Sequence, residues 1–384
     1  NVFNPIPFAI IELGRQASGF RSEYEGAAQI SSAPVTWTTG IDISSQRDNR
    51  LESENDGVAG GGGLAQPGAV QIDQREEVRS VGPFVQARAV LGNRWTVTGG
   101  VRYDRYDFTA ADRFLSDGDQ SGGRSVGEVS PMAGVTLALT EQLNVYSSFA
   151  TAYQTPTTVE LSNRPTGAGG FNEDLDPEEL KTFEAGARGA IDPWRLRFEI
   201  GGYVSRLENA MVQFARADEA VFFRNAGEPS RNGIEARVDW KPTSRLGARV
   251  AYTYQDFELT RFVAPEGDFS GSREPGVPPH QLFTSARYDA PSGFHAAMEL
   301  RSVDAYPVNS TNTIANWAYQ VVGLRFGLER RWNDVAFRPF FGIDNLLNER
   351  YNASTITNSL GNRFFEPAPG REFYVGVTIG AELF

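Results

Sequence analysis

Arg195-Leu-Arg-Phe-Glu-Ile-Gly-Gly-Tyr-Val204 alternates without a break. Leu196, Phe198, Ile200, Gly202 and Val204 fall on one face; Arg195, Arg197, Glu199, Gly201 and Tyr203 fall on the other. A period of two is that of a β-strand, whose successive side chains point to opposite sides of the pleat. The same split separates Trp95, Val97, Gly99, Val101 and Tyr103 from Thr96, Thr98, Gly100, Arg102 and Asp104. It recurs at 234–240, 246–254, 294–300 and 322–328. No stretch of comparable length keeps the i, i+3, i+4, i+7 spacing of a helix, so the chain reads as all-β.

The connections alternate in length. Short turns are predicted near 31–33, 91–94, 140–143, 191–194, 241–245, 291–293 and 331–334. Long polar or Gly-rich segments lie between them, at 55–74, 111–124, 156–176, 261–276 and 352–369, with shorter ones at 216–220 and 307–314. One short rim and one long rim is the layout of a bacterial outer-membrane barrel, with the short turns periplasmic. Trp37, Trp95, Trp194, Trp240 and Trp332, five of the six tryptophans, stand within a few residues of a short turn. An indole settles at headgroup level, where its apolar body and its N–H are both satisfied. A soluble sandwich would place them mid-strand instead.

Composition fits that reading. The 384 residues are 12% aromatic, yet the mean hydropathy is -0.37, as expected when only alternate strand residues meet lipid. The longest apolar run, near residues 8–11, is far short of the ~18 residues of a membrane helix. A net charge of -12 with no basic stripe argues against nucleic acid. No Cys and only two His leave no thiolate metal site, no disulfide scaffold and no expected cofactor. The chain opens at Asn1 with no visible signal peptide, so its N-terminus is expected to have been removed or not included.

Seven short turns each join two strands, and a last strand from Arg371 brings the count to about fifteen. A single-chain bacterial barrel normally has an even number, and an open edge in lipid leaves backbone groups unsatisfied. Either residues 5–13 supply a sixteenth strand, or the chain is part of a larger barrel. We favour the second: one partial antiparallel transmembrane β-barrel domain over 1–384, without a plug domain.

Four segments resemble the C-terminal barrel of TonB-dependent receptors. They are Val145-Tyr-Ser-Ser-Phe-Ala-Thr-Ala-Tyr-Gln-Thr-Pro-Thr-Thr-Val-Glu-Leu161, and Asn172-Glu-Asp-Leu-Asp-Pro-Glu-Glu-Leu-Lys-Thr-Phe-Glu-Ala-Gly186. The third runs from Asn225-Ala-Gly to Arg231-Asn-Gly-Ile-Glu235, and the fourth pairs Asp344-Asn-Leu-Leu-Asn-Glu-Arg-Tyr351 with Pro369-Gly-Arg371. Each is weak alone; four in order at hairpin spacing are specific. The resemblance implies about fifteen strands of a 22-stranded barrel in the outer membrane of a Gram-negative bacterium. It implies uptake of a scarce ligand, above all a ferric siderophore or other metal chelate, energised by the TonB complex through an N-terminal region missing here. Phe384 departs from the family pattern, standing out of phase with the lipid-facing Phe373, Val375, Val377, Ile379, Ala381 and Leu383.

Aromatic and Arg side chains in outer loops suit an anionic, partly aromatic chelate through stacking and charge-assisted hydrogen bonds. The candidate ligand contacts are Tyr153, Gln154, Arg164 and Phe171 around one loop, and Asn362, Arg363 and Phe364 in the last, beside Phe365. The bland alternative is that such residues anchor loops to one another or to lipopolysaccharide; outer-membrane lipid and lipopolysaccharide are expected partners in any case. Lumenal charges, among them Arg197, Glu199, Glu235, Arg237, Asp239, Arg249, Glu299, Arg301, Arg325 and Glu329, read as a solvated wall with opposite charges paired across strands. Asp104 and Asp107 could hold calcium, though their spacing is no EF-hand loop. A barrel hydrolase would need His280 or His295 beside a Ser such as Ser285 or Ser292, with no supporting acid evident, so no enzyme is expected. The other alternative is a passive sixteen-stranded porin-like channel.

Overall fold

The computed structural model describes residues 10–58, 66–161, 171–215, 221–264, 267–333, 335–359 and 363–381. Nineteen hydrogen-bonded segments form one sheet. Two of them resume a strand after a one-residue break, and two are two-residue ladders inside a loop, so fifteen long strands remain. They are β1 (Ile10–Ile30), β2 (Ala33–Asn55), β3 (Pro67–Leu91), β4 (Trp95–Asp112) and β5 (Gly122–Ala138). Next come β6 (Leu143–Gln154), β7 (Glu178–Ile191), β8 (Leu196–Glu208, resuming as Ala210–Ala215), β9 (Val221–Trp240) and β10 (Leu246–Ala264). Last are β11 (His280–Asp289), β12 (Phe294–Val303), β13 (Tyr319–Leu328, resuming as Arg330–Trp332), β14 (Val335–Asp344) and β15 (Glu372–Ala381). Each pairs antiparallel with its sequence neighbours, an uninterrupted up-and-down meander. Among the described residues, β1 and β15 form no ladder with each other.

The alternation in sequence becomes two chemically distinct faces. Val97, Val101, Ile200, Val204, Ile234, Val250, Met298, Phe337 and Ile379 all project outward and are exposed. So much exposed apolar surface is untenable in water and is what lipid covers. On β2 the outward residues from Val35 to Ile43 are apolar except Thr39, and on β3 those from Leu91 to Val81 are all apolar; both spans match the ~9–11 residues of a tilted transmembrane strand. Trp95, Trp194, Trp240 and Trp332 are exposed at the short-turn rim, Trp332 at 84%. The Trp240 Nε1 donates to the Trp194 carbonyl at 3.1 Å. Trp37 is half-buried and lies across Gly26 of β1, where a Cβ would collide with the indole.

Two expectations change. β2 and β3 run 23 and 25 residues, well past the membrane span, so the loop expected at 55–74 is reduced to 56–66. These outer extensions are polar on both faces, which hides their period from a sequence reading. Of the segment offered as a sixteenth strand, Ile10 to Leu13 belong to a β1 continuous with Ile30. Residues 5–9, and the Phe384 departure, lie outside the described residues.

Candidate ligand vestibule and lumenal wall

The inward face of the meander is charged and aromatic. Arg102 on β4 donates twice to Asp104 at 2.6 Å and once to Asp42 of β2 at 2.7 Å, while its guanidinium lies 5.7 Å from the Phe84 ring centre. Arg237 and Arg249 both donate to Asp239, at 2.8 and 2.6 Å. Arg102–Asp42 and Arg249–Asp239 join different strands, whereas Arg102–Asp104 and Arg237–Asp239 pair along one strand; each is modest because the wall is wet. Tyr146, Glu184, Glu199, Tyr203, Glu235 and Thr253 line a groove of about 460 Å³ on this wall. Tyr146 donates to Glu184 at 2.7 Å and its ring end lies over Gly186 and Gly201; Tyr203 lies over Gly233. The lumenal glycines thus serve as seats for aromatic rings. Asp104 faces inward and Asp107 outward, so the two cannot share a calcium ion; Asp107 is taken by Arg105 and Ser125 instead.

The buried core sits at the outer mouth. Leu161 and Phe171 from the loop after β6, with Leu175, pack on Phe108 of β4 and Val126 of β5. This loop starts with buried Pro156 and the single-turn helix α1 (Thr158–Leu161), closed by a capping box. The Thr157 N–H donates to the Glu160 carboxylate at 2.6 Å and the Glu160 N–H to Thr157 Oγ1 at 3.4 Å. Its far limb is clamped by Arg124, which donates to the Glu173 and Leu175 carbonyls and to Asp176, each at 2.5 Å. Asn225 on β9 completes the fastening: its Oδ1 accepts from the Asp176 N–H, and its Nδ2 donates to the Asp176 and Asn209 carbonyls. Above the membrane span of β7, which begins at Phe183, Glu178 accepts from the Met211 N–H at 2.6 Å. Burial pushes that carboxyl above its ordinary value.

The loops at 304–318 and 345–371 form a second fabric with the one before β11. Asn312 exchanges hydrogen bonds with the Arg273 backbone, Ser310 N–H donates to Asn358, and the Asn358 N–H donates to the Val308 carbonyl. Asn345 and Asn348 both adopt left-handed backbone, which Asn tolerates. Asn345 bonds both backbone groups of Glu349 and the Pro369 carbonyl; Asn348 accepts from the Arg371 N–H. Sequence motifs at Asn172–Glu178, Asn225, Asn345 and Pro369–Arg371 are therefore loop fasteners.

Of the predicted ligand contacts, Tyr153 and Gln154 end β6 at the vestibule. The Tyr153 ring meets Tyr106 edge-on at 6.4 Å, and Gln154 is exposed. Phe171 is 2% exposed and offers a ligand no surface; its ring braces the loop, as does the buried Phe364, whose carbonyl accepts from the Ile356 N–H. Arg363 is exposed in the second loop fabric. Arg164 and Asn362 lie outside the described residues. Sequence reasoning missed Arg124 and the bidentate Arg231–Glu274 pair, 2.9 and 2.7 Å. No spacing signal marks either, since both bridge distant strands and loops.

A meander with a lipid-facing apolar band, a charged lumen and fastened outer loops defines an outer-membrane β-barrel wall. The family described as "TonB dependent receptor-like, beta-barrel" matches residues 8–346, and the chain belongs to it. That family consists of transporters rather than enzymes. The chain is 22% identical over 318 residues to the probable TonB-dependent siderophore receptor PiuA of Acinetobacter baumannii, covering 78% of this chain and 40% of that protein. It is 24% identical over 315 residues to the ferric-pyoverdine M114 receptor PbuA of Pseudomonas sp. strain M114, covering 78% and 36%. Among solved structures, the ferric citrate transporter FecA superposes with a TM-score of 0.81 at 16% identity, over 97% of this chain and 55% of that one. The chain thus spans about half, or less, of these relatives.

Proposed function

We propose that this chain is the wall of an outer-membrane receptor that imports a ferric siderophore or comparable metal chelate. The observation that carries it is the set of Asn and Arg fasteners holding loops over the mouth of a receptor-type barrel wall. The similar proteins, which support this reading over a passive channel, are named as a siderophore receptor, a ferric-pyoverdine receptor and a ferric citrate transporter. The fifteen strands are one partial barrel domain over 1–384, completed in the whole receptor by further strands to 22 and by a plug. The TonB complex supplies energy through a region upstream of this chain. Outer-membrane lipid and lipopolysaccharide surround the wall. Tyr153, Gln154 and Arg363 are the loop residues that face a ligand.

Deleting the gene and following radioactive iron from individual ferric chelates in iron-starved cells tests this. The expected result is loss of uptake for one chelate class, restored by the gene and absent without TonB. Uptake that is unchanged by deletion for every chelate, or that survives loss of TonB, would overturn the reading.

A further inference from the structure

We propose that the outward face of β2–β4, just above the apolar band, binds the phosphates of lipopolysaccharide in the outer leaflet. The proposal rests on the outer-membrane placement above and names one partner and its seat. On β2 the outward apolar residues end at Ile43 and are followed by Ser45 and Arg47; on β3 they end at Val81 and are followed by Arg79, Glu77 and Arg75. On β4, Tyr103 is followed by Arg105 and Asp107. The register sets Ser45 opposite Arg79, Arg47 opposite Glu77, and Val81 opposite Arg105, so the four guanidinium groups form one patch.

Two carboxylates share the patch. Glu77 lies 2.8 Å from Arg79 and 3.9 Å from Arg47, and Asp107 lies 3.1 Å from Arg105. One pleat farther out, Arg113 and Asp73 are 3.7 Å apart and balance each other. Four cations against two anions leave an excess of positive charge on a chain whose net charge is -12. The matching outward zone on β7–β8 shows what an ordinary wall does there: Lys181 and Arg206 are balanced by Glu179 and Glu208, with Lys181 2.9 Å from Glu208 and 3.2 Å from Glu179. A second observation points the same way. The Arg47 side chain is 41% exposed and its guanidinium stands 3.9 Å from Glu77, too far for a hydrogen bond, so its open edge can meet a phosphate oxygen. Arg79 is 67% and Arg105 51% exposed, and although one edge of each guanidinium is held by Glu77 or Asp107, the other edge remains to meet phosphate in the bidentate geometry that Lys lacks. The patch stands at the depth where the phosphorylated sugars of an outer-leaflet glycolipid lie.

The test uses the full-length receptor extracted from outer membranes in mild detergent, with native mass spectrometry counting retained lipopolysaccharide. Combining Arg47→Gln, Arg79→Gln and Arg105→Gln should lower retention at least five-fold, while Lys181→Gln with Arg206→Gln leaves it unchanged. Added lipopolysaccharide should raise the Tm of the parent and not of the triple variant, and dephosphorylated lipopolysaccharide should raise neither. Equal retention by parent and triple variant, or equal stabilisation by the dephosphorylated lipid, overturns the proposal. Should the triple variant not fold, the exposed single variants Arg79→Gln and Arg105→Gln carry the same test, each with at least a two-fold loss expected. A receptor that is absent from the outer-membrane fraction would instead refute the placement on which the proposal rests.

Discussion

Gly186, Gly201 and Gly233 mark places where the lumenal wall has no room for a side chain. A Cβ on Gly233 would stand 2.5 Å from the Tyr203 ring, and one on Gly186 would stand 2.7 Å from that of Tyr146. Gly233→Val should cost about 1–3 kcal/mol through overpacking, lowering the fraction of receptor that resists heating in SDS; adding Tyr203→Ala should recover part of it. Arg124→Ala removes three charge-assisted bonds from the loop after β6. Losing even one such bond costs about 1.5–3 kcal/mol, so hydrogen exchange at 171–176 should quicken at least about 10-fold while strand amides stay protected. Glu178 shows a pH effect of definite sign. Burial raises its carboxyl in the fold, so the folded state favours the protonated form and loses stability as pH rises through that range. Glu178→Gln keeps an acceptor for Met211 and removes the charge; its Tm should exceed the parent's near neutral pH and converge with it in acid.

At the scale of the strand, lipid and lumen alternate residue by residue. Val250 on β10 faces lipid midway between Leu246 and Tyr254, while Thr253 faces the lumenal groove. Val250→Arg should cost about 2–4 kcal/mol, the midplane value for a lipid-facing charge, whereas Thr253→Arg, beside Glu235, should fold as the parent does. Heat-modifiability of the two variants in SDS gels distinguishes them, and equal loss would place both residues in a dry core. The same alternation decided what was legible beforehand. Strand identity and turn positions were readable wherever one face meets lipid, as at Leu196–Val204. The outer reaches of β1–β3 were not, because Arg15, Asp48, Glu76 and Arg79 alternate polar with polar. Phe171 illustrates the limit at the vestibule: an aromatic residue in a Gly-rich loop looks the same in sequence whether it stacks on a ligand or on Phe108. Only the fold places Leu161 and Val126 around it.

Across the whole molecule, the unusual feature is a sheet with two free edges. β1 carries 21 residues and β15 ten, and among the described residues neither edge is paired beyond its single neighbour. In a bilayer every unpaired N–H and C=O costs several kcal/mol, so a stable wall must close. Fifteen strands of an up-and-down meander leave β1 and β15 parallel to each other, and closing there would require a parallel seam, which single-chain bacterial barrels with even strand numbers avoid. The superposition takes in 97% of this chain and 55% of the FecA chain, so that protein has ample further sequence beyond the matched part. The prediction is that residues 1–384 refolded alone in detergent give no heat-modifiable monomer and associate through their edges, whereas the full-length receptor gives one. Size-exclusion chromatography with light scattering decides between them. A monodisperse, heat-modifiable monomer of the isolated chain would mean that β1 and β15 seal against each other, leaving no edge for any further strand to join.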